Sequence, residues 1–168
     1  MKRVPLKRKA RPAKRGKLKR KAPLKRRSNK AVSKAKKAAW DAFSKMIRIR
    51  DALRTTGTTT HAACCTCDRV YPVERLQGGH FLPGRHNAIL FDEHNVHAQC
   101  HGCNMFKQGN SIKYFRFMQR TYGDAEIERL ERLDHQSRQF LQDELLRLKH
   151  DFLTRTEAML NGEAQDTA

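Results

Sequence analysis

Apolar positions along this chain follow a helical period at both ends and an irregular one in the middle, and they are almost missing from the first thirty residues. From about Ala31, Ala42, Met46, Ile49 and Leu53 recur at steps of four and three with Phe43 and Ile47 beside them. That spacing predicts one amphipathic helix over 31–56. Ser28 or Asn29 is suited to cap its start, and Trp40 is expected to pack against the domain. The run "TTGTTT" (55–60), β-branched around Gly57, ends the helix in a loop. Between 57 and 110 helical periodicity is weak. "RVYPVERL" (69–76) and "NAILFDEHNV" (87–96) read as short strands on either side of a turn-rich "GGHFLPGRH" (78–86).

From 111 to 162 the helical pattern returns. "SIKYFRFMQRTYG" stops at Gly123, Asp124 can cap a following helix that carries Ile127 and Leu130, and a long last helix follows. Its Leu141, Leu145, Leu148 and Phe152 share one face, with Met159 near the end, forming either core or a dimer seam.

Charge separates the first segment from everything else. Residues 1–37 hold 19 of the 36 Lys and Arg and no Asp or Glu, so the rest carries 17 basic against 17 acidic residues. The whole net charge of +19 therefore sits on an arm attached to a neutral domain. Within residues 1–30 "LKRKA" occurs twice, and like charges with almost nothing to bury predict a disordered tail. Such a tail neutralises phosphates and releases counterions, so Lys7, Arg8, Lys9, Lys19, Arg20, Lys21, Lys25, Arg26 and Arg27 are candidate nucleic-acid contacts. At 168 residues there is room for one domain plus tails. No run approaches the length of a membrane span, and the basic N-terminus lacks the apolar stretch of a secretory signal. These features predict a soluble protein of the cytoplasm with no membrane partner.

In that compartment five cysteines point to metal rather than disulfides. Cys64 and Cys67 form one C-x-x-C pair, Cys100 and Cys103 a second, and two such pairs can place four thiolates tetrahedrally around a structural Zn²⁺. The 32 residues between them exceed the spacing of a simple zinc ribbon, so an insert the size of a hairpin lies inside the clip. Cys65 is left as a free thiol. A zinc closed by four sulfurs has no open position, so any chemistry lies elsewhere.

The insert and second pair contain His80, Asn95 and Asn104 in order, in "GGHF" and "HNVHAQCHGCNMFKQGN". This resembles the HNH, or ββα-metal, nuclease motif, down to the step from Asn95 to Cys100 and the ending at Lys107. More widely, "CCTC", "GGHF", "FDEHNVHAQCHGCNMFKQGN" and the later "YG" resemble the phage lambda NinG (Rap) family of recombination endonucleases, from about Trp40 to Met159. The resemblance implies an α+β fold: a small zinc-braced ββα-metal (HNH/treble-clef-like) core flanked by an N-terminal helix and C-terminal helices. It implies an endodeoxyribonuclease that cleaves Holliday junctions and D-loops during phage recombination, with Mg²⁺ or Mn²⁺ as catalytic cation. Branched DNA, a second copy of the chain and other recombination proteins are the partners implied, in a nucleoid-associated location.

Phosphodiester hydrolysis needs an activated water and a cation that stabilises charge on the phosphate. A histidine is suited to taking the water's proton, which makes His80 the candidate base. Asn104 is a candidate oxygen ligand for the cation, and Asn95 would hold loop and hairpin in register. Lys107, Lys113 and Arg116 would approach phosphates. The usual HNH pattern has an aspartate before the first histidine; here that place is Gly79, so His97, Asp92 and Glu93 stand as substitute ligands, His97 foremost. A non-catalytic zinc module that binds nucleic acid through the arm is the rival reading.

Overall fold

The computed structural model describes residues 30–84 and 86–162. The basic tail and its nine candidate contacts therefore lie outside the described residues, apart from Lys30, as do Ser28 and Asn29. Four helices and two small antiparallel sheets make up the described fold, a mixed α+β arrangement.

Helix α1 (Lys30–Thr56) buries Ala35, Ala39, Ala42, Phe43, Met46, Ile49 and Ala52, steps of three and four that keep one stripe against the core. Burying Phe43, Met46 and Ile47 completely contributes about 1.5–3 kcal/mol each. The helix stops where Thr55 and Thr56 turn their hydroxyls back onto the carbonyls of Asp51 and Ala52. Gly57, at φ 67°, donates its N–H to Leu53, a left-handed cap that glycine adopts without strain.

Strands β1 (His61–Ala63) and β2 (Val70–Pro72) pair around the first cysteine pair, and β3 (Leu76–His80) pairs with β4 (Val96–Cys100), Leu76 opposite Cys100 and His80 opposite Val96. Three sequence expectations change here. "RVYPVERL" is strand only over β2, then a 3₁₀ turn (Val73–Arg75), before β3 begins. "GGH", expected in a turn, is the end of β3, because the two glycines leave room for Ser44 on one side and Gln99 on the other. "NAILFDEHNV" is not a strand before Val96: its N–H groups bond back to carbonyls three residues earlier at Ile89, Asp92 and Asn95, and Ile89 and Leu90 are buried side by side.

Helix α1 lies across this hairpin. Val96 packs with Phe43 and Met46, and Ala98 with Ile49 and Ala52. The Asp51 carboxylate accepts the Ala98 N–H at 2.7 Å and is held by Arg50, which also donates to the Val96 carbonyl. On its other side α1 packs against α4 (Gln142–Leu160) through Leu145, Leu148 and Phe152, with the Phe43 and Phe152 rings 4.8 Å apart. Those positions are core; Leu141, read on the same face, is exposed. Helices α2 (Ser111–Tyr122) and α3 (Asp124–Asp134) close the opposite side through Tyr114, Met118, Ile127 and Leu130. Asp124 is the first residue of α3 rather than its cap, where its charge and that of Glu126 suit the helix N-terminus. No helix among the described residues is long and apolar enough to cross a membrane.

Candidate metal clip and polar cleft

Cys64 leaves β1 into a tight turn that ends on Asp68, whose N–H returns to the Cys64 carbonyl; Cys100 ends β4, and Cys103 sits in the short π-type helical turn (Gly102–Phe106) after it. All four sulfurs lie within 4.8 Å of one another, Cys67 and Cys100 at 3.9 Å. Four sulfurs tetrahedral about one Zn²⁺ stand about 3.8 Å apart, so the set fits a structural metal such as zinc. Donors already point at the sulfurs: the Cys100 N–H at Cys64 and the Asn110 side chain at Cys103. Burial raises the Cys64 thiol, but hydrogen bonds from the Cys100 N–H, Thr66 and Cys67 outweigh it and bring it to about 7, whereas burial pushes the Cys67 thiol up to about 12 and raises that of Cys100 as well. Cys65, the spare cysteine, is buried against Tyr114, and its thiol is pushed up by that burial.

Beside the clip is an open cleft of about 580 Å³ between α1, β3 and the π-type turn. Trp40, Ser44 and Arg48 line it from α1, Gln77, Gly78 and His80 from β3, and Asn104 and Met105 from the turn. The His80 ring stacks on Trp40, centroids 4.7 Å apart and planes 15° from parallel. The Asn104 amide nitrogen donates to Gln77 Oε1 at 2.7 Å, which leaves its Oδ1 as the atom offered to a ligand. Arg48 is anchored on the carbonyls of Ser44 and Val73; burial lowers its pKa, and it stays a cation. Among the described residues that line the cleft there is no carboxylate.

His97 is elsewhere. In an antiparallel pair alternate residues face opposite ways, and His97, opposite Gly79, looks away from α1 while His80 looks toward it. The His97 ring is buried, Nδ1 3.1 Å from the Tyr114 hydroxyl and Nε2 2.9 Å from that of Tyr122. Tyr114 donates to the Gly79 carbonyl at 2.8 Å, so it accepts from Nδ1–H, and Nε2 accepts from Tyr122. Burial, with Arg50 and Arg54 behind it, holds the His97 pKa well below the usual value. Both nitrogens are engaged behind the hairpin, so the structure does not bring His97 together with Asn104. Nor does it bring Asp92 or Glu93 to the cleft: Asp92 binds Arg129, and Glu93 binds Arg155 and Arg50.

The place of the expected aspartate has a physical occupant. A Cβ on Gly79 would come 3.0 Å from the Cβ of Gln99 and well inside contact distance of its Oε1. Gln99 is buried there and donates to Thr66 and the Gly109 carbonyl, bracing the turn that carries Asn104. Asn95 is buried after the loop: its Oδ1 accepts the Leu82 N–H, and its Nδ2 donates to the Ile89 carbonyl. The π-type turn is closed at Gly109, whose N–H returns to the carbonyls of Cys103 and Asn104; α2 starts only at Ser111. Lys107, Lys113 and Arg116 are exposed and do not line the cleft. Sequence reasoning missed Arg48. The signal was present, since Trp40, Ser44 and Arg48 recur every four residues along a second stripe of α1.

These features define a small α+β protein built on a four-cysteine metal clip, with a polar, acid-free cleft at its side. A family profile described as "Bacteriophage Lambda NinG protein" matches residues 1–163, and the chain belongs to that family. It is similar to "Protein ninG" of Salmonella phage P22, 24% identical over 129 residues, which cover 77% of this chain and 59% of that protein. The chain thus spans about three-fifths of the length of this curated relative. No solved structure matches.

Proposed function

We propose that this protein is a metal-dependent endonuclease for branched DNA, Holliday junctions and D-loops, acting in phage recombination, and that the hairpin with its turn is a zinc-braced ββα-metal site. The observation that carries the reading is the meeting of His80, Asn104 and Arg48 in one cleft beside the clip. His80 takes the proton of the attacking water, its ring fixed against Trp40. Arg48 faces the phosphate as a permanent cation. Asn104 Oδ1 would be the protein oxygen offered to Mg²⁺ or Mn²⁺, a neutral donor in a cleft lined by no carboxylate among the described residues. Such a cation supplies charge stabilisation on the phosphate and the leaving oxygen. Asn95 positions the residues after His80 and touches no substrate. The N-terminal arm, with Lys107, Lys113 and Arg116, binds the DNA backbone. Cutting both strands of a junction symmetrically needs two sites, so two copies act together.

The missing carboxylate favours one other reading, a zinc-held module that binds nucleic acid without cleaving it. Cleavage of a labelled four-way junction beside the matching linear duplex separates them, run with Mg²⁺, with EDTA and with a zinc-loaded His80→Ala protein. Junction cleavage abolished by EDTA and by the substitution supports the nuclease. Tight binding with no cleavage under Mg²⁺ or Mn²⁺ supports the binding module.

A further inference from the structure

The turn that brings Asn104 to the cleft also carries two large apolar side chains into solvent. Met105 is 58% exposed and lines the cleft; Phe106, next along, is 81% exposed, the highest of the large hydrophobic residues so described. Scattered exposed apolar residues are ordinary, but this pair is adjacent and rigidly presented. Cys103 fixes the turn to the clip, Lys107 N–H closes it on the Gly102 carbonyl, and Gly109 N–H closes it on Cys103 and Asn104. Among the described residues the phenyl ring's aromatic contact is with His101, perpendicular to it with centroids 5.2 Å apart, and the ring's exposure leaves an aromatic face open. The exposed Lys107 follows directly in the same turn, and along the chain from His94 to Gly123 every formal charge is a Lys or Arg, with no Asp or Glu.

We propose that Phe106, backed by Met105, is a wedge on which a base at the DNA branch point stacks. The proposal deepens the nuclease reading and rests on it for the substrate. The partner's chemistry is an aromatic base carried on a polyanion. An open phenyl face accepts the base, and the exposed Lys107 next to it accepts a phosphate. In continuous duplex every base is already stacked, so a wedge pays unstacking there, whereas at a branch the bases are exposed at little cost. Phe106 therefore gives the site its preference for branches over linear DNA, and its place beside Asn104 sets the scissile phosphate near the branch.

The test is equilibrium binding of the full, zinc-loaded chain with no Mg²⁺ or Mn²⁺ added, so that cleavage does not interfere and the clip keeps its metal. A four-way junction with 2-aminopurine at its centre is compared with the matching linear duplex. Phe106→Ala is expected to weaken junction binding about tenfold, within the range for stacking one base on an aromatic ring. Duplex affinity should change less than twofold, and the 2-aminopurine signal at the branch should disappear. Phe106→Trp should restore both. The ring is exposed, so removing it should leave folding intact, and an unchanged melting curve checks this. Equal losses on junction and duplex, or none on either, overturn the wedge while leaving the nuclease reading intact; in the second case a protein partner is the occupant to seek. Junction preference that depends on Phe106 without any cleavage under Mg²⁺ supports the wedge and refutes the nuclease. A wild-type chain with no junction preference overturns the branch substrate and the wedge together.

Discussion

The two faces of the β3–β4 hairpin carry a histidine each, and the two are put to opposite uses. His80 lies on the face toward α1, stacked on Trp40 at the wall of an open cleft. His97, one pair along in the register, lies on the face toward α2, fully buried, with tyrosine hydroxyls on both ring nitrogens. One face is open, polar and cationic; the other is a closed network from Arg54 through Tyr122, His97 and Tyr114 to the Gly79 carbonyl. That network holds the backbone next to His80 in place. A histidine's role on a hairpin is therefore set by the parity of its position, which decides whether it meets water or core.

The comparison breaks most visibly if the clip that holds both faces is removed. Cys100→Ser, or stripping the metal with a strong chelator, should abolish cooperative folding, because binding energy for such a site is folding energy. Helical circular dichroism through a thermal ramp, with zinc content measured in parallel, checks this; a sharp transition without bound metal refutes it. Next in size is His80→Ala. It should lower cleavage by about 10²- to 10⁴-fold, the usual worth of a positioned general base, with the melting temperature nearly unchanged. His97→Gln should do the reverse, lowering stability first. If the two substitutions affected cleavage and melting alike, the division between the faces would be wrong.

Much of this was legible in the sequence, for identifiable reasons. The cysteine pairs are read by spacing, and spacing is nearly all that a tight metal turn requires. Helix α1 and the core face of α4 follow from repeated steps of three and four. Strands of three to five residues leave too little periodicity, so "NAILFDEHNV" reads as strand although the strand begins at its last residue. The site is harder. The order His80, Asn95, Asn104 shows in the chain, but which residues face one cleft depends on register, which local sequence does not carry. That is why the sequence groups His97 with Asn104 although the two lie on opposite sides of the hairpin, and Arg48 was missed because it enters from α1, far along the chain.

Gly79 sharpens the comparison from the closed side. Its Cβ would meet the Gln99 side chain, which is buried and hydrogen-bonded, whereas a Cβ on Gly78 would meet Ser44 Oγ at 2.9 Å on the cleft face. Gly79→Ala should cost about 1–3 kcal/mol, the usual range for overpacking a filled site. Gly78→Ala should cost less, since a hydroxyl can rotate aside more easily than a braced amide. Urea midpoints of the two variants decide it. A Gly79→Asp protein, carrying the acid of the usual HNH pattern, should be less stable still and gain no activity, because that side chain would point to the wrong face.

The smallest expected effect is a slope. His97 is neutral in the folded protein, its pKa pressed well below 6.5 by burial and by Arg50 and Arg54. The unfolded chain therefore takes up a proton first as pH falls, and acid favours unfolding. The contribution is fully present above pH 6.5 and is lost progressively as pH drops below that value toward the depressed folded pKa. The loss can reach about 1.4 kcal/mol per pH unit for one proton. His97→Gln removes that proton uptake, so its stability should fall less steeply between pH 6.5 and pH 5 than the parent's, even though it starts lower. Denaturant midpoints of parent and variant at four pH values measure it. Parallel curves would mean that His97 can be protonated where it lies, and the closed face would then be less closed than its hydrogen bonds make it.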